Sequence, residues 1–186
     1  MDFFEDDPSN ARKVLDMLTV ANEFCLFLES AEKYKANDVF DYLLKISPLL
    51  YLKGSLLPVI SSETDGIVSR YVTEEQWETI FQSLKQIFDK NDQYTAHFFT
   101  EEIETEPGNL SLSENYADIY QDLKDFVMVY QQRTYTAKES AVSQCSRLFV
   151  SHWGPRLLES LPRLHQLNYK ENNTDDFNSL NENDIL

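Results

Sequence analysis

Apolar residues recur every three or four positions along most of the chain, which is the spacing of residues on one face of an α-helix. The clearest case is the segment 77–88, whose apolar face consists of Trp77, Ile80, Phe81, Leu84, Ile87 and Phe88. Similar stripes begin near Val14, Val39, Tyr116 and Val142. The pattern predicts an all-α, single-domain bundle of about six helices, mostly antiparallel.

The beginnings of three helices are predicted from residues that satisfy free backbone amides. Thr73 with Gln76, and Thr136 with Glu139, have the spacing of capping boxes. In such a box a hydroxyl and a side chain three residues later exchange hydrogen bonds with the backbone. Ser113 is the expected cap of the helix that follows it.

Proline and glycine divide the rest of the helical pattern. An interruption is expected before Pro48, because proline lacks a backbone N–H and disfavours helical conformation in the preceding residue. Gly154 and Pro155 are expected to separate the last two helices, since glycine ends helices and proline suits a first turn. Pro162 is expected to kink the final helix.

The helical pattern is absent from three segments. Residues 89–112 are expected to form one long irregular loop, with a short extended piece near Tyr94. Residues 1–8 form an acidic lead, and residues 170–186, rich in acidic residues and asparagine, are expected to be a flexible tail. The helical domain is therefore predicted to occupy residues 9–169.

Composition narrows the classes of function. The 186 residues carry 16 basic and 32 acidic side chains, a formal charge of −16, and no run of Lys or Arg opposes it. Such a field repels nucleic acid. With no signal-like N-terminus and no membrane-length apolar run, the chain is expected to be cytoplasmic. Four glycines leave little scope for phosphate-binding loops, and no nucleophile motif is present.

Cys145 and His152 lie seven residues apart on one predicted helix face. A thiolate and an imidazole at this spacing can share a zinc ion, although structural zinc sites favour four ligands in close pairs. The alternative is a core thiol beside a histidine that bonds a backbone carbonyl. Cys25 also lies on an apolar stripe, as a buried free thiol does.

A stripe of carboxylates, Glu114, Asp118, Asp122 and Asp125, follows another helix. Such a stripe either binds Mg²⁺ or Mn²⁺ or forms a solvated or salt-bridged surface. Asp118 lies at the edge of the apolar face, and Arg147 is its expected partner, because a half-buried carboxylate needs one. No metal or cofactor is assigned. The residues assigned to a partner-binding or other functional site are Asp118, Asp122, Tyr120, Arg147, His152 and Trp153.

Several aromatic residues fall in segments without a helix face, and a contiguous exposed group of them would mark an interface. They are Phe3, Phe4, Tyr94, Phe98 and Phe99.

Two passages, from Ser111 to Lys124 and His152-Trp153-Gly154, resemble a bacterial family catalogued as domain of unknown function 5063. The segment from Tyr51 to Pro58 and the helix opening at Thr73 are similar to it too. The resemblance spans roughly residues 14–167. It implies an all-helical domain, no known activity and no catalytic residue.

These observations favour a non-catalytic interaction module whose acidic helical surface binds a protein with a basic surface. The alternative is a metal-dependent enzyme in which Asp118, Asp122 and His152 converge between two helices. A third interpretation, ranked last, is that the acidity mimics nucleic acid. The sequence leaves the partner and the oligomeric state open.

Overall fold

The computed structural model of the protein describes residues 8–60, 70–96, 99–100, 103–104, 108–132 and 134–180. Six α-helices form within these ranges, which confirms the predicted all-α bundle. They are α1 (Arg12–Leu28), α2 (Ala36–Ser55), α3 (Glu74–Phe88), α4 (Leu112–Tyr130), α5 (Tyr135–Leu148) and α6 (Gly154–Leu180). None of the helices in the described part is long and apolar enough to cross a membrane.

Helix α4 is the centre of the bundle, because it packs against α1, α3, α5 and α6. Its residues Tyr116, Ile119 and Leu123 are completely buried, and Phe126 is 3% exposed. A helix buried on most sides places its polar residues against other helices instead of water. This position determines the surroundings of the carboxylates on α4.

The segment 89–112 is more regular than its sequence indicates. Strand β1 (Gln93–Ala96) pairs antiparallel with β4 (Gly108–Ser111), and β2 (Phe99–Thr100) pairs with β3 (Ile103–Glu104). Asp92, which is 2% exposed, holds this hairpin to α4. Its Oδ1 accepts from the backbone N–H of Ser113 at 2.7 Å, and its Oδ2 accepts from the Ser111 hydroxyl at 3.0 Å.

The capping predictions have mixed outcomes. The box formed by Thr73 and Gln76 at the start of α3 is confirmed. The cap of α5 is Thr134, not Thr136: its hydroxyl accepts from the backbone N–H of Ala137 at 3.3 Å. The cap of α4 is Ser111, not Ser113: the Ser111 hydroxyl accepts from the backbone N–H of Glu114 at 3.1 Å, and Ser113 lies inside the helix.

Neither predicted interruption breaks the chain as expected. Helix α2 continues through Pro48 to Ser55. Between α5 and α6 the helix widens into a π-helical segment, Phe149–Trp153, and Gly154 keeps a helical φ of −65°. A β-carbon at Gly154 would collide with the carbonyl oxygen of Phe149, so the absence of a side chain permits this continuous path.

Helix α6 extends into the segment predicted as a tail, since it ends at Leu180. Pro162 lies inside this helix. Residues 1–7 of the predicted acidic lead and residues 181–186 of the predicted tail lie outside the described residues.

Candidate functional site

Helix α4 and the π-helical segment bring Asp118, Asp122 and His152 together. The Nδ1 atom of His152 lies 2.5 Å from Oδ2 of Asp122, and its Nε2 lies 3.9 Å from Oδ2 of Asp118. The two carboxylates are four residues apart, so they project from the same face of α4, one turn from each other. The imidazole is thus placed between two acidic side chains.

The ion-pair partner that contacts Asp118 is Arg156, from the first turns of α6, and not the expected Arg147. Nε of Arg156 donates to Oδ2 of Asp118 at 2.9 Å, and the indole N–H of Trp77 donates to Oδ1 at 3.0 Å. Asp118 therefore joins α3, α4 and α6. Arg147 lies exposed near the end of α5. The sequence offered several arginines, and only the packing of α6 against α4 selects Arg156.

The contact with Asp122 fixes the orientation of the His152 ring. When neutral His152 donates from Nδ1 to Asp122, its Nε2 lone pair is left as an acceptor. Asp118 is already neutralised by Arg156, a fixed cation that disfavours a metal ion beside it. Within the described residues, no group of three or more His, Cys, Asp and Glu side chains is arranged to hold a metal.

Cys145 is part of the hydrophobic core. It is 2% exposed, and burial raises the pKa of its thiol well above the usual value, with the nearby Asp122 charge adding to the effect. Within the described residues it belongs to no group of three or more His, Cys, Asp and Glu side chains that could hold a metal. The core interpretation of Cys145 therefore fits its surroundings. The expected backbone bond of His152 is instead a bond to Asp122.

The four carboxylates of the stripe on α4 have different surroundings. Glu114 is exposed in the first turn of α4. Asp125 is 4% exposed, and its Oδ1 accepts from the backbone N–H groups of Tyr71 and Val72 at 2.8 and 2.9 Å. Burial raises the pKa of Asp125, and these hydrogen bonds partly oppose that shift. Asp125 thus anchors the chain that leads into α3.

Tyr120 and Trp153 lie apart from the histidine contacts. The Tyr120 hydroxyl donates to Oε1 of Glu29 at 2.9 Å, and Lys124 forms a 2.7 Å ion pair with the same oxygen. Trp153 is completely buried, and its indole N–H donates to the carbonyl of Cys145 at 3.1 Å. Both residues stabilise helix packing.

The predicted aromatic interface is represented by one described side chain. Tyr94 is half-buried, and its hydroxyl accepts from the amide of Asn115 at 3.2 Å. Phe3, Phe4 and Phe98 lie outside the described residues, and of Phe99 only the backbone is described.

A groove that sequence reasoning missed runs along the exposed side of α3. Its volume is about 590 Å³, and it faces the short 3₁₀ turn at residues 31–33. Its lining consists of Glu32, Glu75, Glu78, Thr79, Gln82, Ser83, Gln86 and Ile87. Within the described part of the chain, the lining contains three carboxylates and no cationic side chain. The sequence signal for this groove was the polar side of α3 at positions 75, 78, 79, 82 and 86. Glu32 comes from the 3₁₀ turn, so the pattern of α3 could not include it.

A second, smaller groove of about 340 Å³ lies on the other side of α3. Trp77 and Asp118 line it together with Arg70, Val72, Glu74 and Gln121. Helix α3 therefore borders two grooves, and its first two turns supply Glu74, Glu75 and Glu78 to them.

Comparisons with known proteins agree with this architecture. A family model with the description "Domain of unknown function (DUF5063)" matches residues 9–170. The crystal structure of protein BF1032 from Bacteroides fragilis is similar, with 36% sequence identity and a TM-score of 0.75. The match covers 87% of this chain and 99% of that one. No protein of curated function matches the sequence.

Proposed function

We propose that this chain, which belongs to the DUF5063 family, is a protein-interaction module. It binds a basic partner through the larger groove of α3, which faces the 3₁₀ turn at residues 31–33. The observation that carries the proposal is the charge of that groove. Among the described residues, Glu32, Glu75 and Glu78 line it and no cationic side chain does. A lysine- or arginine-rich segment of a partner would supply the missing charge.

The contacts of these carboxylates support the proposal. Glu78 accepts from the neighbouring Gln82 amide at 2.7 Å, which leaves its charge unneutralised. Lys85, further along α3, lies 5.2 Å from the centre of the Phe81 ring, and is not among the residues that line the groove. The carboxylates of the groove thus keep a negative potential that steers a basic partner and fixes its orientation.

The shape of the surface also favours a peptide or protein over a small molecule. The groove is shallow and open to solvent, and Ile87 is the one large apolar residue among the described residues that line it. Small-molecule sites are usually clefts or cavities that bury most of the ligand. An extended basic segment can instead exchange hydrogen bonds with Thr79, Gln82 and Gln86 while its cations meet the carboxylates.

Binding of a fluorescent lysine- and arginine-rich peptide tests the charge requirement. The triple variant Glu32→Gln, Glu75→Gln, Glu78→Gln is expected to bind at least tenfold more weakly than the natural chain. The matched control is Glu23→Gln, Asp38→Asn, Glu114→Gln, which removes the same charge from exposed positions on other helices. Equal weakening by both triples would reduce the effect to net charge and contradict a groove-specific site.

The biological partner is sought by capture with the same three baits. A protein retained by the natural chain and the control triple, but lost with the groove triple, supports the proposal. Retention should also fall between 50 and 500 mM salt, because the interaction is electrostatic. A bound protein that both triples retain equally would contradict the assignment of the groove.

The convergence of Asp118, Asp122 and His152 favours a second candidate, a metal-dependent enzyme. In it His152 Nε2 and Asp118 would bind the metal, and Asp122 would orient the imidazole. Arg156 opposes this candidate, since its guanidinium already pairs with Asp118. Metal analysis of protein purified without chelator separates the two. Stoichiometric Mn, Fe or Zn that is lost in Asp118→Ala would favour the enzyme, and an unchanged melting temperature after EDTA would exclude it.

A further inference from the structure

Helices α2 and α6 form an apolar groove on a different face of the molecule. Its volume is about 270 Å³, and its lining consists of Ser47, Pro48, Tyr51, Leu52, Ser55, Leu157, Leu158 and Leu161. None of these described lining residues is charged. Leu52 and Leu158, one on each wall, are 53% and 51% exposed.

The exposed apolar surface extends beyond the groove along α2. Leu49, Leu52 and Leu56 are spaced three and four residues apart, so they share one side of the helix. Their exposed fractions are 38%, 53% and 42%, and Val59, just after the helix, is 94% exposed. A contiguous apolar area of this kind, with uncharged walls, is typical of an interface.

The charges around this groove differ from those of the rest of the chain. Helix α2 carries two carboxylates and two lysines, and residues 154–169 carry two arginines and one glutamate. Residues 170–180 of α6 add one lysine and three carboxylates, so helices α2 and α6 together have a formal charge of −1, within a chain whose total is −16. The acidic surface lies elsewhere, including the first turns of α3.

The cations beside the groove are already paired. Lys45 lies 2.6 Å from Asp41, Lys53 lies 2.8 Å from Asp16, and Arg156 binds Asp118. The described residues that line this groove include no carboxylate that could bind a basic partner. The groove of α3, in contrast, is lined by Glu32, Glu75 and Glu78. The electrostatics thus disfavour a basic partner and permit one that is acidic overall, provided that it presents an apolar, nearly neutral face.

We propose that the occupant is a second copy of this chain, docked so that the α2–α6 faces of two molecules meet about a twofold axis. In this arrangement Leu52 and Leu158 of each copy enter the groove of the other. Twofold dimers are the commonest oligomers, because one self-complementary surface suffices. Two strongly acidic chains can approach through this face, since its two helices carry little net charge.

The proposal predicts an unusual dependence on salt. Long-range repulsion between two chains of charge −16 opposes association, and salt screens it over a Debye length of about 8 Å at physiological ionic strength. The dimer fraction should therefore rise between 50 and 500 mM NaCl. Binding of a basic partner to the α3 groove should fall over the same range, so the two surfaces are distinguishable.

Sedimentation velocity and light scattering over about 5 μM to 1 mM protein test the proposal. The natural chain should show a concentration-dependent approach to the dimer mass. The double variant Leu52→Asp, Leu158→Asp should weaken the dimer at least tenfold. Leu26→Asp is the control, since Leu26 is 49% exposed on α1, outside the groove, and the substitution adds the same kind of charge. Leu52 and Leu158 are exposed in the natural chain, so circular dichroism should show that all variants remain folded.

A monomer at every concentration and salt would overturn the proposal. A dimer that the double variant leaves intact, or that Leu26→Asp disrupts equally, would do so too. Binding of an apolar dye that is lost in Leu52→Asp, Leu158→Asp, with a natural chain that stays monomeric, would assign the groove to a different occupant.

Discussion

The Oδ2 atom of Asp122 lies 2.5 Å from Nδ1 of His152, and this contact joins the central helix to the π-helical segment between α5 and α6. The Asp122 side chain is 9% exposed and that of His152 is 32% exposed. The carboxylate is therefore nearly removed from water, and the imidazole is its closest partner. The bond links two helical segments that are 30 residues apart in sequence, next to the Asp118–Arg156 pair that joins α4 to α6.

Asp122→Ala is expected to reduce the free energy of unfolding by about 1–3 kcal/mol, the usual cost of removing a buried hydrogen-bonding partner. Urea denaturation at neutral pH measures the change. Asp41→Ala is the control, because Asp41 forms an exposed ion pair with Lys45 at 2.6 Å. Such a surface pair contributes about 0–1 kcal/mol. Equal losses in the two variants would contradict a structural role for the contact with His152.

Asp125→Asn is expected to stabilise the chain more at pH 7 than at pH 4. Burial raises the pKa of Asp125 in the folded state, so the contribution of this group to stability is lost as pH rises through that pKa. The amide oxygen of asparagine can still accept from Tyr71 and Val72. Urea denaturation of both proteins at the two pH values measures the difference. A stability difference that stays constant with pH would contradict the assignment.

The periodic pattern predicts the fold well because burial on one face of each helix is a local property of the sequence. Val14, Leu84 and Leu164 lie in the predicted inward stripes, and each is completely buried. The convergence of Asp118, Asp122 and His152 was part of the alternative, metal-enzyme hypothesis. Helical spacing fixes which side of α4 the two carboxylates share, but it does not place His152. The pairing of strands β1 and β4 was missed, because four residues on each side give little periodicity.

Partners from distant segments are the part that local patterns did not predict. Asp92, which is 21 residues away, accepts from the Ser113 amide in the first turn of α4, where the cap is Ser111. Asp118 pairs with Arg156 because α6 packs against α4, a relationship that no spacing within one helix contains. Pro48 remains inside α2 although its ring removes a backbone hydrogen bond, which shows that packing outweighs local preference here.

Thr134→Ala and Thr136→Ala should differ in their effect on stability. The Thr134 hydroxyl accepts from the backbone N–H of Ala137, so its loss is expected to cost about 0.5–2 kcal/mol. Thr136 lies within the first turn of α5 and is exposed, so its replacement should change stability by less than about 0.5 kcal/mol. Thermal unfolding of the two variants provides the comparison. A larger loss in Thr136→Ala would restore the capping box with Glu139 that the sequence pattern indicates.

Gly54→Ala is expected to destabilise the chain although alanine favours helices. Gly54 is buried in the last turn of α2, where a β-carbon would lie 2.6 Å from Cδ2 of Phe149 and would also collide with the ring of Trp153. Both neighbours are aromatic rings that contact each other, with centroids 4.8 Å apart, so neither can move without disturbing the other. Overpacking of this kind costs about 1–3 kcal/mol, which exceeds the gain of about 1 kcal/mol in helix propensity. Ser55→Ala, at the exposed neighbouring position, isolates the propensity effect, and urea denaturation of both variants measures the two changes. If Gly54→Ala were as stable as Ser55→Ala, the close approach of α2 to the π-helical segment would be incorrect, and with it the position of His152 beside α4.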